Sequence, residues 1–102
     1  MEAGIEQKRE QLAKLCRQYR VQSLAVFGSA LREDFDSEHS DLDFLVEFEP
    51  LSAGTYADTY FGLIEALEQL FERPVDLVVE SAIKNPYFRE SVERNKALLY
   101  AA

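Results

Sequence analysis

Three aspartates stand where packing alone has no use for a charge. Asp41 and Asp43 lie two residues apart in Asp41-Leu42-Asp43-Phe44-Leu45-Val46, and Asp76 interrupts the aliphatic run from Val75 to Val79. Positions two apart on a strand share a face, which sets Asp41 and Asp43 about 7 Å apart at roughly 3.3 Å per residue. Like charges that close repel, and a divalent cation between them turns the repulsion into binding. If the strand of Asp76 neighbours theirs, the three carboxylates share one face. They would then offer hard oxygen ligands to one or two Mg²⁺ ions, with substrate phosphates and water completing the shell.

A second group precedes them. Gly28-Ser29 follows the apolar run Leu24-Ala25-Val26-Phe27. Glycine lets phosphate oxygens approach the backbone, and a helix starting there offers unpaired N–H groups and the positive end of its dipole. The Ser29 hydroxyl adds a donor. Arg32, one turn on, is placed to meet a phosphate or a pyrophosphate leaving group. Each piece is common by itself: Gly-Ser is usually a turn, Asp-x-Asp a solvated edge, and an acid like Asp76 a partner for arginine. In this order and these contexts they point to phosphoryl or nucleotidyl transfer, which asks chiefly for positioning and charge neutralisation.

The elements that must hold these residues are legible as periods. Residues 5–19 read as a helix, with Leu12, Leu15, Cys16 and Tyr19 as its apolar stripe. Residues 24–27 are a strand ending in a tight turn at Gly28, and 30–35 form one or two helical turns. From 41 to 48 the residues alternate: Leu42, Phe44, Val46 and Phe48 face one way, Asp41, Asp43, Leu45 and Glu47 the other. Thr55 with Asp58 resembles a helix N-cap, and the helix after it buries Tyr60, Leu63, Ile64, Leu67, Leu70 and Phe71. Arg73-Pro74 stops it. In the third strand Val75, Leu77 and Val79 face inward, and Asp76 and Val78 face the opposite side. Asn85-Pro86 opens a last helix, with Asn85 as N-cap and Pro86 at its first position, packing through Phe88, Val92 and Leu99. The expectation is an α/β fold with a three-stranded mixed sheet covered by helices.

Composition bounds the rest. A chain of 102 residues with 47% hydrophobic residues is one folded domain, expected to span 1–102. Eleven Lys and Arg against 19 Asp and Glu leave a net charge of −8, which repels a phosphate backbone and disfavours nucleic acid as a direct partner. The single cysteine, Cys16, excludes an internal disulfide and a multi-thiolate metal site. Residues 1–10 lack the apolar run of a secretory signal. No stretch approaches the roughly 20 apolar residues of a membrane span, so the cytoplasm is the expected compartment. His39, the only histidine, reads as a surface loop residue with no partner set for catalysis. The helically spaced tyrosines and phenylalanines read as core or partner-facing.

Phe27-Gly28-Ser29, ten residues, then Ser40-Asp41-Leu42-Asp43-Phe44-Leu45-Val46 resembles the signature of the DNA polymerase beta-like nucleotidyltransferases. The small size is similar to the minimal nucleotidyltransferase branch, whose members resemble the antitoxins of HEPN/MNT toxin–antitoxin pairs. The segment from Asn85-Pro86-Tyr87-Phe88 to Leu99-Tyr100 looks like that branch's C-terminal helix. The resemblance implies a minimal palm-like core. Gly28 and Ser29 match its phosphate-contacting pair, Asp41 and Asp43 its metal pair, Asp76 its third carboxylate, and Arg32 a frequent basic position. It implies Mg²⁺-dependent attack by a hydroxyl on the α-phosphate of ATP or another nucleoside triphosphate, with pyrophosphate leaving. In the antitoxin branch the acceptor is a tyrosine of the HEPN ribonuclease toxin, which is thereby AMPylated. Eleven residues separate Ser29 from Asp41 where the family often has ten, and Ala30 replaces an arginine common after Gly-Ser.

Two rival readings stand beside the protein adenylyltransferase. In one, an acidic antitoxin neutralises a basic toxin by contact alone. In the other, the acceptor is a small-molecule hydroxyl, a chemistry that usually needs further domains to hold it. Base preference and oligomeric state are not written in these motifs.

Overall fold

The computed structural model describes residues 5–28 and 41–102. A 3₁₀ turn at Glu6–Lys8 leads into α1 (Arg9–Gln18), then β1 (Val21–Phe27), β2 (Leu42–Phe48), α2 (Ala53–Phe71), β3 (Val75–Val79), a 3₁₀ turn at Glu80–Ala82, α3 (Pro86–Asn95) and β4 (Ala97–Ala101). The strands form one mixed sheet in the order β3-β2-β1-β4. β1 is antiparallel to both β2 and β4, and β2 is parallel to β3 through the α2 crossover. A parallel pair needs such a crossover, and a helix of 19 residues supplies it.

The alternation within the strands sorts the molecule into two unequal halves. Leu24 and Val26 of β1, Leu42, Phe44, Val46 and Phe48 of β2, and Leu77 of β3 turn to one face. There they meet Leu12 and Cys16 of α1 and Leu63, Leu67 and Phe71 of α2 in the main core. The opposite face carries a smaller cluster: Ala25, Leu45, Ile83 and Val92, with Phe27 and Val78 against it. Among the described residues α3 and the segment around Ile83 cover it, a lighter cover than the two helices over the main core, and the aspartates of β2 and β3 project from this side.

Among the described residues the sheet has four strands where the sequence predicts three, and the difference lies at the C-terminal end. The expected last helix, with Leu99 on its packing face, stops at Asn95, and Leu99 lies instead on β4. Lys96 is already extended (φ −96°, ψ 152°). In β4 Leu99 is buried and its neighbour Leu98 is exposed, a period of two. Ala-Leu-Leu-Tyr-Ala carries no strong local preference. The outer edge of β1 decides, offering a row of backbone partners from Val26 to Ser23 for Ala97 to Ala101.

Helix α2 also starts earlier than expected. Its N-cap is Ser52, not Thr55. The Ser52 carbonyl accepts from the backbone N–H groups of Thr55 (3.1 Å) and Tyr56 (3.2 Å), and the Ser52 and Thr55 hydroxyls share a hydrogen bond of 3.0 Å. Of its predicted packing residues, Leu63, Leu67 and Phe71 are buried, and Tyr60, Ile64 and Leu70 are half-buried. Asn85 caps α3 as its sequence indicates: its side-chain oxygen accepts from the N–H groups of Tyr87 (2.9 Å) and Phe88 (3.2 Å). The helical turns expected at 30–35, and Ser29, Arg32 and His39, lie outside the described residues.

Candidate active site

Asp43 is the second residue of β2, at the end of the sheet where β1 finishes, on the lightly covered face. On one side its strand partner is Phe27, the residue before Gly28. On the other side its partner is Asp76. Register partners on neighbouring strands are about 4.8 Å apart and point to the same face, so two carboxylates stand side by side. Asp41, two residues upstream of Asp43, sits exposed just before β2 begins. Among the described residues no three of His, Cys, Asp and Glu are gathered closely enough to enclose a metal ion.

Three contacts fix the register that pairs Asp43 with Asp76. The N–H of Leu42 donates to the carbonyl of Pro74 at 3.1 Å. The N–H of Val75 donates to a carboxylate oxygen of Glu68 on α2 at 3.2 Å. The Tyr60 hydroxyl, also on α2, donates to the carbonyl of Leu77 at 2.5 Å. The ionisation of Tyr60 is pushed up by burial and then by the negative charges of Asp76 and Tyr56, so it stays a neutral donor. A slip of one residue would send Asp76 to the main core and Leu77 to solvent.

Gly28 closes the arrangement from the β1 side. Its φ is +75°, a left-handed backbone that glycine adopts without strain. A Cβ there would sit 2.5 Å from Oδ2 of Asp43. The backbone turn and the carboxylate are therefore in direct contact, and only a residue without a side chain lets them meet.

This donor set suits Mg²⁺. Its coordination is commonly one or two carboxylates plus substrate phosphates and water, not a closed protein cage. Two parallel carboxylates with an exposed third upstream provide hard oxygens on an open face. A nucleotide brought against the backbone of Gly28 would supply the remaining oxygens.

The structure adds a feature that the sequence did not single out. Beside Gly28, between the end of β1 and α3, lies an open cleft of about 570 Å³. Phe27 and Gly28 form one wall, and Phe88, Val92 and Lys96 are among the residues forming the other. Phe88, read from the sequence as a packing residue, is 42% exposed and meets the Phe27 ring edge-on at 6.2 Å between centroids. Sixty residues separate these two rings in the chain, and no local pattern links them.

With the geometry in view, comparison with known proteins gives the class. The model of the nucleotidyltransferase domain matches residues 8–99, and the chain belongs to that family. It is 39% identical over 77 residues to "Putative protein adenylyltransferase MJ1379" of Methanocaldococcus jannaschii, covering 76% of this chain and 75% of that protein. A solved structure described as a "putative minimal nucleotidyltransferase" is 34% identical, with a TM-score of 0.76 and 95% of each chain covered. The fold also matches a tri-AMPylated Shewanella oneidensis HEPN toxin in complex with MNT antitoxin, at 20% identity and a TM-score of 0.64, over 95% of this chain and 72% of that one. The minimal nucleotidyltransferase branch, with its small mixed α/β sheet, is thus the right place for this chain.

Proposed function

We propose that the protein is a protein adenylyltransferase that moves AMP from ATP onto a tyrosine hydroxyl of a HEPN-type toxin, acting as its antitoxin in the cytoplasm. The observation that carries this reading is the side-by-side register of Asp43 and Asp76, with Gly28 pressed against Asp43. Two lines support the acceptor: a relative bears the name "Putative protein adenylyltransferase MJ1379", and the fold recurs in a complex of an MNT antitoxin with a HEPN toxin.

In this reading residues 1–102 act as one minimal nucleotidyltransferase domain. Asp43 and Asp76, with Asp41, would hold Mg²⁺, which when bound neutralises charge on the phosphates. The backbone at Gly28 and the hydroxyl of Ser29 bind the phosphates, and Arg32 meets the leaving pyrophosphate. The acceptor oxygen forms a bond to the α-phosphorus as the bond to the bridging oxygen breaks and pyrophosphate departs. The acceptor's proton passes to the carboxylate of Asp76, the more exposed of the pair.

The test is transfer of label from ATP carrying ³²P at the α- or the γ-phosphate, with Mg²⁺ and a HEPN protein encoded beside this chain. Label arriving only from the α-position, and lost in Asp43→Asn, is the expected result. Label from the γ-position would mean phosphoryl transfer. No label from either, with a stable complex, would leave neutralisation by contact as the function.

A further inference from the structure

We infer that the cleft between β1 and α3 seats the nucleoside of the donor nucleotide, its base lying against Phe88 and Phe27; this rests on the nucleotidyl-transfer reading above. Three observations carry it. The first is position. The cleft opens at Gly28, whose backbone touches Asp43. The α-phosphate is joined to the ribose through a single oxygen, so a nucleotide reacting beside Asp43 must place its sugar and base within a few ångströms. Phe27 is the strand neighbour of Asp43 on the same face.

The second is the character of the walls. Phe88 keeps 42% of its surface exposed although it stands against Phe27. An exposed aromatic face at the mouth of a cleft is what a base stacks on. Val92 supplies an apolar wall, and the volume of about 570 Å³ falls within the usual range for small-molecule sites.

The third is the polar lining. Among the described residues, the charged side chains lining this cleft are those of Arg94 and Lys96. Both cations are held in place by acids outside the lining: Lys96 by Glu93 at 3.0 Å and Glu80 at 3.7 Å, and Arg94 by Glu90. With their charge balanced by these acids, Arg94 and Lys96 offer the cleft N–H donors beside an aromatic wall, which suits a ring-bearing ligand rich in hydrogen-bond acceptors.

The experiment is calorimetric titration with Mg²⁺ of two probes: the non-hydrolysable α,β-methylene ATP, and inorganic tripolyphosphate, which has no nucleoside. Wild type, Phe88→Ala and Phe88→Trp are compared, with circular dichroism confirming the fold of each. Wild type should bind the nucleotide more tightly than tripolyphosphate. Phe88→Ala should weaken the nucleotide about tenfold and leave tripolyphosphate unchanged, and Phe88→Trp should restore the nucleotide. Unchanged nucleotide affinity in Phe88→Ala would overturn the cleft assignment while leaving nucleotidyl transfer intact. So would a Phe88→Ala protein that binds nucleotide normally yet no longer modifies the HEPN protein, because the cleft would then hold the acceptor. Failure of wild type to bind the nucleotide or to transfer the α-label would overturn the transfer reading itself.

Discussion

Gly28 and Asp43 touch across the β1–β2 pair: a Cβ on Gly28 would sit 2.5 Å from the Asp43 carboxylate oxygen Oδ2. Adding that methyl should act on chemistry more than on folding. Gly28→Ala must take up the strain of φ +75° and swing the Asp43 side chain aside. The fold should lose about 1–2 kcal/mol in urea titration. The initial rate of α-label transfer should fall at least about a hundredfold, the scale of a misplaced reacting group. A fully active Gly28→Ala would remove Asp43 from the site.

Asp43 and Asp76 stand side by side on parallel strands, where a bound divalent cation would bridge them. Asp76 is exposed, so Asp76→Asn should leave the melting temperature in EDTA close to that of the wild type. Adding Mg²⁺ with the ATP analogue should stabilise the wild type and leave the variant nearly unmoved. Differential scanning fluorimetry reads both. An Asp76→Asn protein stabilised as much as wild type would show that Asp76 does not bind metal.

The Tyr60 hydroxyl donates to the Leu77 carbonyl and holds β3 against α2. Tyr60→Phe should cost about 1 kcal/mol of stability, the net worth of one hydrogen bond. Because Asp76 precedes Leu77, transfer should also fall, through kcat more than through KM for ATP. Stability loss with an unchanged rate would mean that the strand register survives without this contact.

Cys16 is fully buried in the core between α1 and the sheet, and burial pushes its thiol from 9.0 up to about 12. An unfolded Cys16 ionises above pH 9.0 and a folded one does not. Its contribution to stability is thus fully present below pH 9.0 and declines as pH rises from 9.0 toward about 12. Native protein should react with a thiol reagent at pH 8 only as fast as it unfolds, and denaturant should release one thiol per chain. Rapid labelling of the native protein would contradict the burial.

Much of this molecule follows from local rules that act within a few residues. Period two in 41–48 separates the core residues Leu42, Phe44 and Val46 from Asp43, and the structure keeps that division. The same holds for Asp76 between Val75 and Leu77. Asn85-Pro86 starts α3 because capping is a contact between neighbours in sequence. The class of chemistry was likewise legible, since Gly-Ser and Asp-x-Asp are each contiguous.

Only the tertiary structure decided what depends on partners far along the chain. Ala97–Ala101 became a fourth strand because the edge of β1 was free to pair, a fact that five residues of Ala, Leu and Tyr do not carry. Asp43 and Asp76, 33 positions apart, became neighbours through the parallel register set by Pro74, Glu68 and Tyr60. The cleft of Phe27 and Phe88 came from docking α3 on the thinly covered face. Sequence period fixes which way a side chain points. Which side chains then meet is settled by long-range pairing and packing, whose free energies are shared across the whole fold.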